Sequence, residues 1–432
     1  MNKLKSKKGI TLVALVVTTV VLLILAGASI NLVLGDNGII DKAKEAQRKS
    51  AEATQNDLIG MNELAQQLGE KINGSAGSGS GNGGAGGSGA GTKVPAEATA
   101  ETAPYFPDNT FTKKEGTIDT GLVIKDASGN EYVWVVVPRT TAVYKTTGLG
   151  KTTFTDADYT SIENDLKEYT KTYRGSISYS DVYYPDDKNV GWFADATAYN
   201  NLKNSMLKSV YENGGFYVGR YEAGIDTTAG TNRTSNTDKN SNGKYTMPST
   251  TPVSRADAYP YTWVTRTQAQ NLASNVNSGT KTSSLMFGVQ WDLVLAFMHN
   301  KGNIADSTLT SNSTTMGNYK VNLWTIKNAN AKYSTNSGST FTACPNPFKK
   351  ESYSSILLTT GADSSFSVQN IYDIAGNVWE WTLEKTSHAS NLCAERGGGL
   401  YYTGSKNNPA ADRGNNNTTG TFLSDGFRLS LW

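Results

Sequence analysis

Hydrophobic and polar positions divide the chain into an apolar N-terminal segment, an amphipathic repeat, a glycine-rich stretch and a long region of short apolar runs. Residues 10–34 carry no charged side chain. As a helix they would span roughly 37 Å, more than the ~30 Å apolar core of a bilayer. Four lysines precede the span, namely Lys3, Lys5, Lys7 and Lys8. Because basic residues stay on the cytoplasmic side, we expect a single-pass cell-membrane protein whose C-terminal part is extracellular.

The next segments predict a helix and then a tether. Apolar residues recur at three- to five-residue spacing over 39–73, which indicates an amphipathic helix continuing the membrane span. Residues 74–91 contain ten glycines among eighteen residues and no charge, which is typical of a flexible linker. We therefore divide the chain into a basic leader (1–9), a long helix (10–73), a flexible linker (74–115) and a C-terminal domain (116–432).

From residue 116 onwards, short apolar runs alternate with turn residues. Ser128-Gly129 and Asn213-Gly214 are turn signals between strand-like runs. Helical spacing is confined to 267–274 and 289–299. The predicted fold class is accordingly α+β: a long N-terminal helix, a linker, and a domain with much irregular backbone.

The N-terminus resembles the class III signal of type IV pilins and pseudopilins, on the residues KKGITLVALVV. The resemblance implies that a prepilin peptidase cuts after Gly9 and that Ile10 becomes the mature N-terminus. It also implies other pilin-like subunits as partners. The chain has Ala14 where the family usually has the glutamate that assists filament assembly. A simple membrane anchor and a cleaved signal peptide ending near 26–29 are the alternatives.

Composition excludes several classes of protein. Lys+Arg number 40 and Asp+Glu 38, a net charge of +2, so we expect no nucleic-acid partner. Charged residues make up only 18% of the chain, which suits an extracellular surface rich in hydroxyl and amide groups. Two cysteines, Cys344 and Cys393, are too few for a disulfide scaffold or a multi-cysteine metal site.

Three motifs carry the sharpest signal: IYDIAGNVWEWT (371–382), ERGGGLYY (395–402) and DGFRLSLW (425–432). In a strand, Trp379 and Trp381 face one side and Glu380 the other. Together the motifs resemble the formylglycine-generating enzyme/sulfatase-modifying-factor family, whose fold is C-type-lectin-like. The resemblance implies one cofactor, Ca²⁺, held by the Asp373 and Glu380 side chains and by the Gly376 and Val378 carbonyls. The alternative is that Asp373 caps a turn and Glu380 pairs with a cation.

The family's catalytic cysteine pair is absent. The interval 399–425, where the enzymes hold copper between two cysteines, contains no cysteine. We therefore expect neither an enzyme nor bound copper, and an oxidase of the formylglycine-generating type is the least favoured alternative. In an oxidising exterior Cys344 and Cys393 form one disulfide; the alternative is two buried thiols.

The stretch 401–425 has the composition of a binding surface, because tyrosine gives large contact area and Ser, Gly and Asn give adaptable hydrogen bonds. Its position between two fixed motifs resembles the variable proteins of diversity-generating retroelements. We expect a surface-displayed protein, anchored in a membrane or pilus, that binds an extracellular glycan or protein; a minor pilin or tip subunit is the alternative. The candidate ligand-binding residues are Tyr401, Tyr402, Ser405, Asn407, Asn408, Asn415, Asn416, Asn417 and Phe422.

Overall fold

A computed structural model of the chain describes Val94 and residues 97–175, 178–276, 278–406 and 408–432. All of them belong to one compact unit, 87–432. The described helices are α1 (Asp156–Tyr169), α2 (Lys171–Arg174), α3 (Ala196–Asn213), α4 (Arg266–Ser274), α5 (Gly288–Gly302) and α6 (Asp306–Thr310). Two single 3₁₀ turns, Thr314–Met316 and Ser364–Phe366, accompany them.

Nineteen short strands make up the rest of the regular structure in the described residues. The strands before α5 are β1 (Thr112–Glu115), β2 (Val123–Lys125), β3 (Glu131–Val136), β4 (Gly215–Gly219), β5 (Gly224–Ile225), β6 (Tyr259–Pro260) and β7 (Ser283–Ser284). Those from 324 to 372 are β8 (Trp324–Ile326), β9 (Lys332–Ser334), β10 (Thr342–Ala343), β11 (Phe348–Lys350), β12 (Leu357–Leu358), β13 (Ser367–Val368) and β14 (Ile371–Tyr372). The last five are β15 (Trp379–Lys385), β16 (Cys393–Arg396), β17 (Arg413–Asn416), β18 (Asp425–Phe427) and β19 (Ser430–Leu431).

The predicted fold class, α+β led by a long helix, is wrong for the part of the chain that the structure describes. That part is rich in sheet, and only four of its six helices have seven or more residues. Its longest helix is α3, with 18 residues, and α3 is amphipathic rather than apolar. The physical reason is the pattern itself: short apolar runs ended by turn residues form strands that pair, and they leave few segments long enough for a helix.

The predicted membrane localisation is also corrected. Among the described residues, no helix combines the length and the apolar character needed to cross a bilayer. The single-pass span therefore has no support. The residues on which it was predicted (10–34), the helix over 39–73, the glycine-rich stretch 74–91 and the processing site Gly9–Ile10 lie outside the described residues.

The folded unit begins before the predicted boundary at residue 116. Tyr105 and Phe111 are buried in the main core, and β1 pairs with β2. The hydroxyl of Tyr217 donates to the Tyr105 carbonyl at 2.8 Å. The linker-like composition before residue 116 concealed these two aromatic residues, so the C-terminal half of the predicted linker belongs to the domain.

The main sheet is antiparallel and has the order β1-β2-β3-β4-β19-β7. Strand β19 pairs with β4 on one side and β7 on the other, so it is an interior strand of the sheet. Trp134, Tyr217 and Trp291 lie in the core of the unit. The Ser128-Gly129 turn is confirmed, because it joins β2 to β3 with Gly129 at φ 84°.

The two predicted helices are confirmed as α4 and α5. Helix α5 is buried on nearly every side, which explains its weak amphipathic pattern. The Asp181 carboxylate accepts hydrogen bonds from the Gly288 and Val289 N–H groups and so stabilises the first turn of α5.

Helices α1 and α3 were not predicted, although both carry start signals. Thr155 and Asp158 form a reciprocal capping box at α1, and Asp195 caps α3. Gly214, which was predicted to lie in a turn between strands, ends α3 in the left-handed conformation and leads directly into β4.

Candidate functional site

A second, four-stranded sheet carries the sequence motifs and has the order β17-β16-β15-β18. Strands β15 and β18 run parallel, with Trp379 opposite Asp425. Strand β16 is antiparallel to β15 and places Glu395 opposite Trp381. Because side chains alternate along strands, Trp379, Trp381, Glu395 and Asp425 share one face of this sheet.

The opposite face is a buried ion-pair layer that fixes the sheet to α5. Arg396 and Arg413 both reach Asp292, at 2.8 and 2.5 Å, and Arg413 Nε contacts Glu384 Oε1 at 3.1 Å. Each of these four side chains is almost completely buried. Burial of charges is tolerated here because every one is paired and hydrogen-bonded. This layer is the rigid support of the face that carries Glu395.

Two carboxylates that form no ion pair within the described residues lie on the face that carries Trp379. Asp425 accepts hydrogen bonds from Asn416 Nδ2 and Ser424 Oγ, each at 3.2 Å. Burial raises the pKa of Asp425 to about 7. Burial, and then the nearby Asp425 carboxylate, raises the pKa of Glu395 well above its usual value. We call Glu395 and Asp425 the carboxylate pair.

An aromatic contact lies beside the carboxylate pair. The ring of Tyr402 meets the indole of Trp379 edge-on, with centroids 5.4 Å apart. Burial, and then the Glu395 carboxylate, raises the pKa of Tyr402. At Gly414 on β17, a Cβ atom would come within 2.7 Å of Glu395 Cγ and 3.2 Å of Trp379 Cζ3, so only glycine leaves these two side chains room.

The loop after β16 is held to its neighbours by backbone hydrogen bonds. The N–H groups of Ser313 and Lys320 donate to the carbonyls of Gly404 and Tyr402, at 2.7 and 2.9 Å. The N–H of Leu400 donates to the Asn377 carbonyl at 2.9 Å. Exposed side chains on this loop are therefore presented from a fixed backbone.

Three aromatic side chains of the predicted binding stretch are exposed. Tyr401 is 42% exposed, Tyr402 39% and Phe422 51%. Tyr402 contacts the Trp379 ring, and the Phe422 segment reaches the same residue because Trp379 N–H donates to the Ser424 carbonyl at 2.6 Å. We call Tyr401, Tyr402 and Phe422 the aromatic face.

The structure separates the predicted asparagines. Asn416 joins the carboxylate pair, whereas its neighbour Asn415 lies on the other face of β17 and accepts from Asn391 Nδ2 at 2.9 Å. Asn417 is exposed and its side chain accepts from Thr419. Ser405 and Asn408 are half-buried, and Asn407 lies outside the described residues.

Sequence reasoning missed the carboxylate pair and placed Trp379 only on one face of a strand. The available signal was the alternation of side chains along a strand. In a strand over CAER, Glu395 and Arg396 point to different faces. Because Arg396 forms its ion pair in the core, Glu395 lies on the other face of the sheet. The pairing of β15 with β18, which brings Asp425 beside Trp379, has no signal in the local sequence.

The four predicted calcium ligands do not form a free oxygen cage. Both Glu380 oxygens are hydrogen-bonded to Arg428, and Asp373 Oδ2 accepts from the Gly361 N–H at 2.9 Å. A third buried carboxylate, Glu222, accepts instead from the Asn377 amide and the Val378 N–H. This arrangement does not fit Ca²⁺ at these residues, because the Glu380–Arg428 pair would have to open first.

Both cysteines are free and buried. Cys344 belongs to a small cluster around Trp324, whereas Cys393 lies in the main core with its Sγ 2.8 Å from the Tyr184 hydroxyl. The structure thus has the two buried thiols and not the disulfide. The two sulfur atoms lie in different clusters.

Comparison with known proteins gives no family for this chain. No family model matches, and no curated protein matches. Among solved structures, one similar chain is the crystal structure of CarF, at 15% identity over 75% of this chain and 92% of that one. Its TM-score of 0.21 is too low to support an argument about fold or function.

Proposed function

We propose that this protein binds an extracellular macromolecular ligand and that the aromatic face forms the contact surface. The observation that carries the proposal is the exposure of Tyr401, Tyr402 and Phe422 on a hydrogen-bonded frame. They are three of the eight large hydrophobic side chains exposed in the described residues. Exposed aromatic residues on rigid backbone are typical of binding surfaces, since they add contact area at low entropic expense.

The motif order gives further support for a formylglycine-generating-enzyme-like, C-type-lectin-like relationship. Strands β15, β16 and β18 each contain part of one of the motifs 371–382, 395–402 and 425–432, and these three strands lie side by side in one sheet. The chain between the last two motifs supplies Tyr401, Tyr402 and Phe422. The proposed ligand surface therefore lies in the stretch 401–425, whose position resembles that of the variable segment in proteins of diversity-generating retroelements.

A selection experiment tests the proposal. A random peptide library displayed on phage is selected on the full-length chain, with the triple variant Tyr401→Ala/Tyr402→Ala/Phe422→Ala for counter-selection. We expect enriched peptides that bind the native chain and lose at least about tenfold in affinity on the triple variant, or 1.4 kcal/mol. The matched control is Leu149→Ala, a hydrophobic residue 48% exposed in another loop.

Two outcomes would contradict the proposal. In one, no selected peptide binds the native chain more tightly than it binds the triple variant, and the affinity for Leu149→Ala is also the same. In the other, the triple variant loses its melting transition, which would make the three residues structural. A glycan array probed with the same proteins covers the second ligand class under the same criteria.

Diversification of 401–425 remains part of the proposal. Its test is the DNA around the locus: a near-copy of the 3′ end that differs at adenines, beside a reverse transcriptase gene, is the expected finding. Absence of both from a complete genome would leave a fixed binding surface.

A further inference from the structure

The floor beside the aromatic face holds two buried carboxyl groups, Glu395 and Asp425, that no cationic side chain of the described residues approaches. Glu395 and Asp425 make no ion pair in the described residues, and the groups that reach Asp425 are neutral. The nearest arginines in sequence, Arg396 and Arg428, point to the other side and bind Asp292 and Glu380.

Two buried polar atoms at this place also make no hydrogen bond within the described structure: Oε2 of Glu395 and Nε1 of Trp379. Glu395 is 8% exposed and Trp379 3%. A buried polar atom without a partner costs about 1–3 kcal/mol, more for a charged group. Gly414 borders both side chains, and a Cβ atom there would come within 2.7 Å of Glu395 Cγ. The floor thus carries two carboxyl groups whose hydrogen bonding is incomplete within the described structure.

We propose that the aromatic face recognises ligands through a lysine or arginine side chain whose cationic group pairs with Glu395 and Asp425. The inference rests on the proposed function and names the chemistry of its ligand. Ammonium and guanidinium groups carry three and five N–H donors and no acceptor, which suits a floor of acceptor oxygens. The neighbouring rings of Trp379 and Tyr402 favour the same charge through cation–π attraction.

A metal ion is the less favoured occupant. In the part of the chain that the structure describes, no group of three or more His, Cys, Asp or Glu residues could hold a metal. Among the described residues, Glu395 and Asp425 meet at this floor, Asp412 faces them, and aromatic rings border them. An organic cation uses both features, whereas calcium would use only the oxygens.

The test uses small probes, so it does not depend on finding the natural ligand. The full-length chain, labelled with ¹⁵N at tryptophan indoles, is titrated with N-acetyl-lysine methylamide and N-acetyl-arginine methylamide. N-acetyl-norleucine methylamide is the neutral control. We expect a saturable shift of the Trp379 indole signal with a cationic probe and at least about tenfold weaker binding of the neutral one.

Variants locate the effect. Glu395→Gln and Asp425→Asn are each expected to weaken cation binding at least about tenfold. Asp187→Asn also removes one negative charge, but its side chain is 81% exposed in another loop, so binding should not change. Glu395→Gln replaces a carboxyl that burial favours in its neutral form, so a folded variant is expected.

Three results would overturn the inference. They are equal shifts with the neutral probe, cation binding that survives both carboxylate substitutions, and saturation of the site by CaCl₂ in place of the organic cations. Any of these results would contradict the cation site but not the proposed function, because the phage and glycan selections test the aromatic face. Conversely, a cation site without any selected ligand would contradict the proposed function alone.

Discussion

Arg428 and Glu380 form a two-point ion pair in the core of the sheet, with Nε–Oε2 at 3.0 Å and Nη2–Oε1 at 2.5 Å. Nη1 of Arg428 also donates to the Gly219 carbonyl at 3.0 Å, in the main sheet. One side chain from the last motif of the chain therefore ties the two sheets together. The same side chain donates hydrogen bonds to both carboxylate oxygens of Glu380, the residue that the sequence motif predicted as a calcium ligand.

Breaking this pair should destabilise the fold strongly. We expect Arg428→Ala to lower the free energy of unfolding by about 3–5 kcal/mol, because it leaves the buried Glu380 carboxylate uncompensated. Urea denaturation followed by circular dichroism measures the change. The exposed pair Lys208–Glu212 is the control, and Glu212→Gln should change stability by no more than about 0.5 kcal/mol. Equal effects of the two substitutions would contradict this role.

Calcium should leave the stability of the unit unchanged at the site predicted from the motif. After chelation, addition of about 5 mM CaCl₂ exceeds the range in which extracellular modules bind. We expect no rise in Tm, because Arg428 occupies both Glu380 oxygens. A rise in Tm that Glu380→Gln abolishes would show that the ion pair opens for the metal.

The carboxylate pair should make the protein less stable as the pH rises. Its pKa values are raised in the folded state, to about 7 for Asp425. The folded chain therefore binds more protons than the unfolded chain between pH of about 4 and 7, and each such proton changes stability by about 1.4 kcal/mol per pH unit. The other titratable groups that face the pair are Asp412 and Tyr402.

Substitution isolates this contribution. Asp425→Asn should reduce the loss of stability between pH 5 and pH 7. The variant is compared with the native chain at each pH, because Asp373 and Asp181 also have raised pKa values and contribute to the loss in both proteins. The free energy of unfolding from urea titrations at each pH is the measurement. Parallel curves for the native chain and the variant would show that Asp425 titrates normally.

The two thiols should be free and protected. Burial raises the pKa of Cys344 to about 11 and also raises that of Cys393. We expect a thiol reagent to label neither cysteine in the native chain and both in denaturant without reductant, because thiolates react and buried thiols do not. Fewer than two labelled cysteines in unreduced, denatured protein would show the disulfide instead. A reduced sample provides the full count.

Local pattern was sufficient for several parts of the domain. Alternation in VWEW predicts that Trp379 and Trp381 share a face, and the strand β15 places them so. Apolar spacing predicts α4 and α5 to within a few residues.

Other parts had no adequate local signal. Helices α1 and α3 are rich in Asn, Thr and charged residues, so their weak apolar stripe did not stand out from the polar sequence around them. Tyr105 and Phe111 are isolated aromatic residues in a linker-like composition, and only their contacts identify them as core. The predicted membrane span falls on residues outside the described part of the chain.

The sequence by itself determined which residues could form strands, which faces those strands would have, and that 401–425 is rich in contact-forming side chains. These properties follow from periodicity and composition, which are local. Only the tertiary structure decided that Asp425 lies beside Trp379 and close to Glu395, and that Arg428 takes the Glu380 oxygens. The register of strands distant in sequence depends on the packing of the entire unit, so no local pattern contains it.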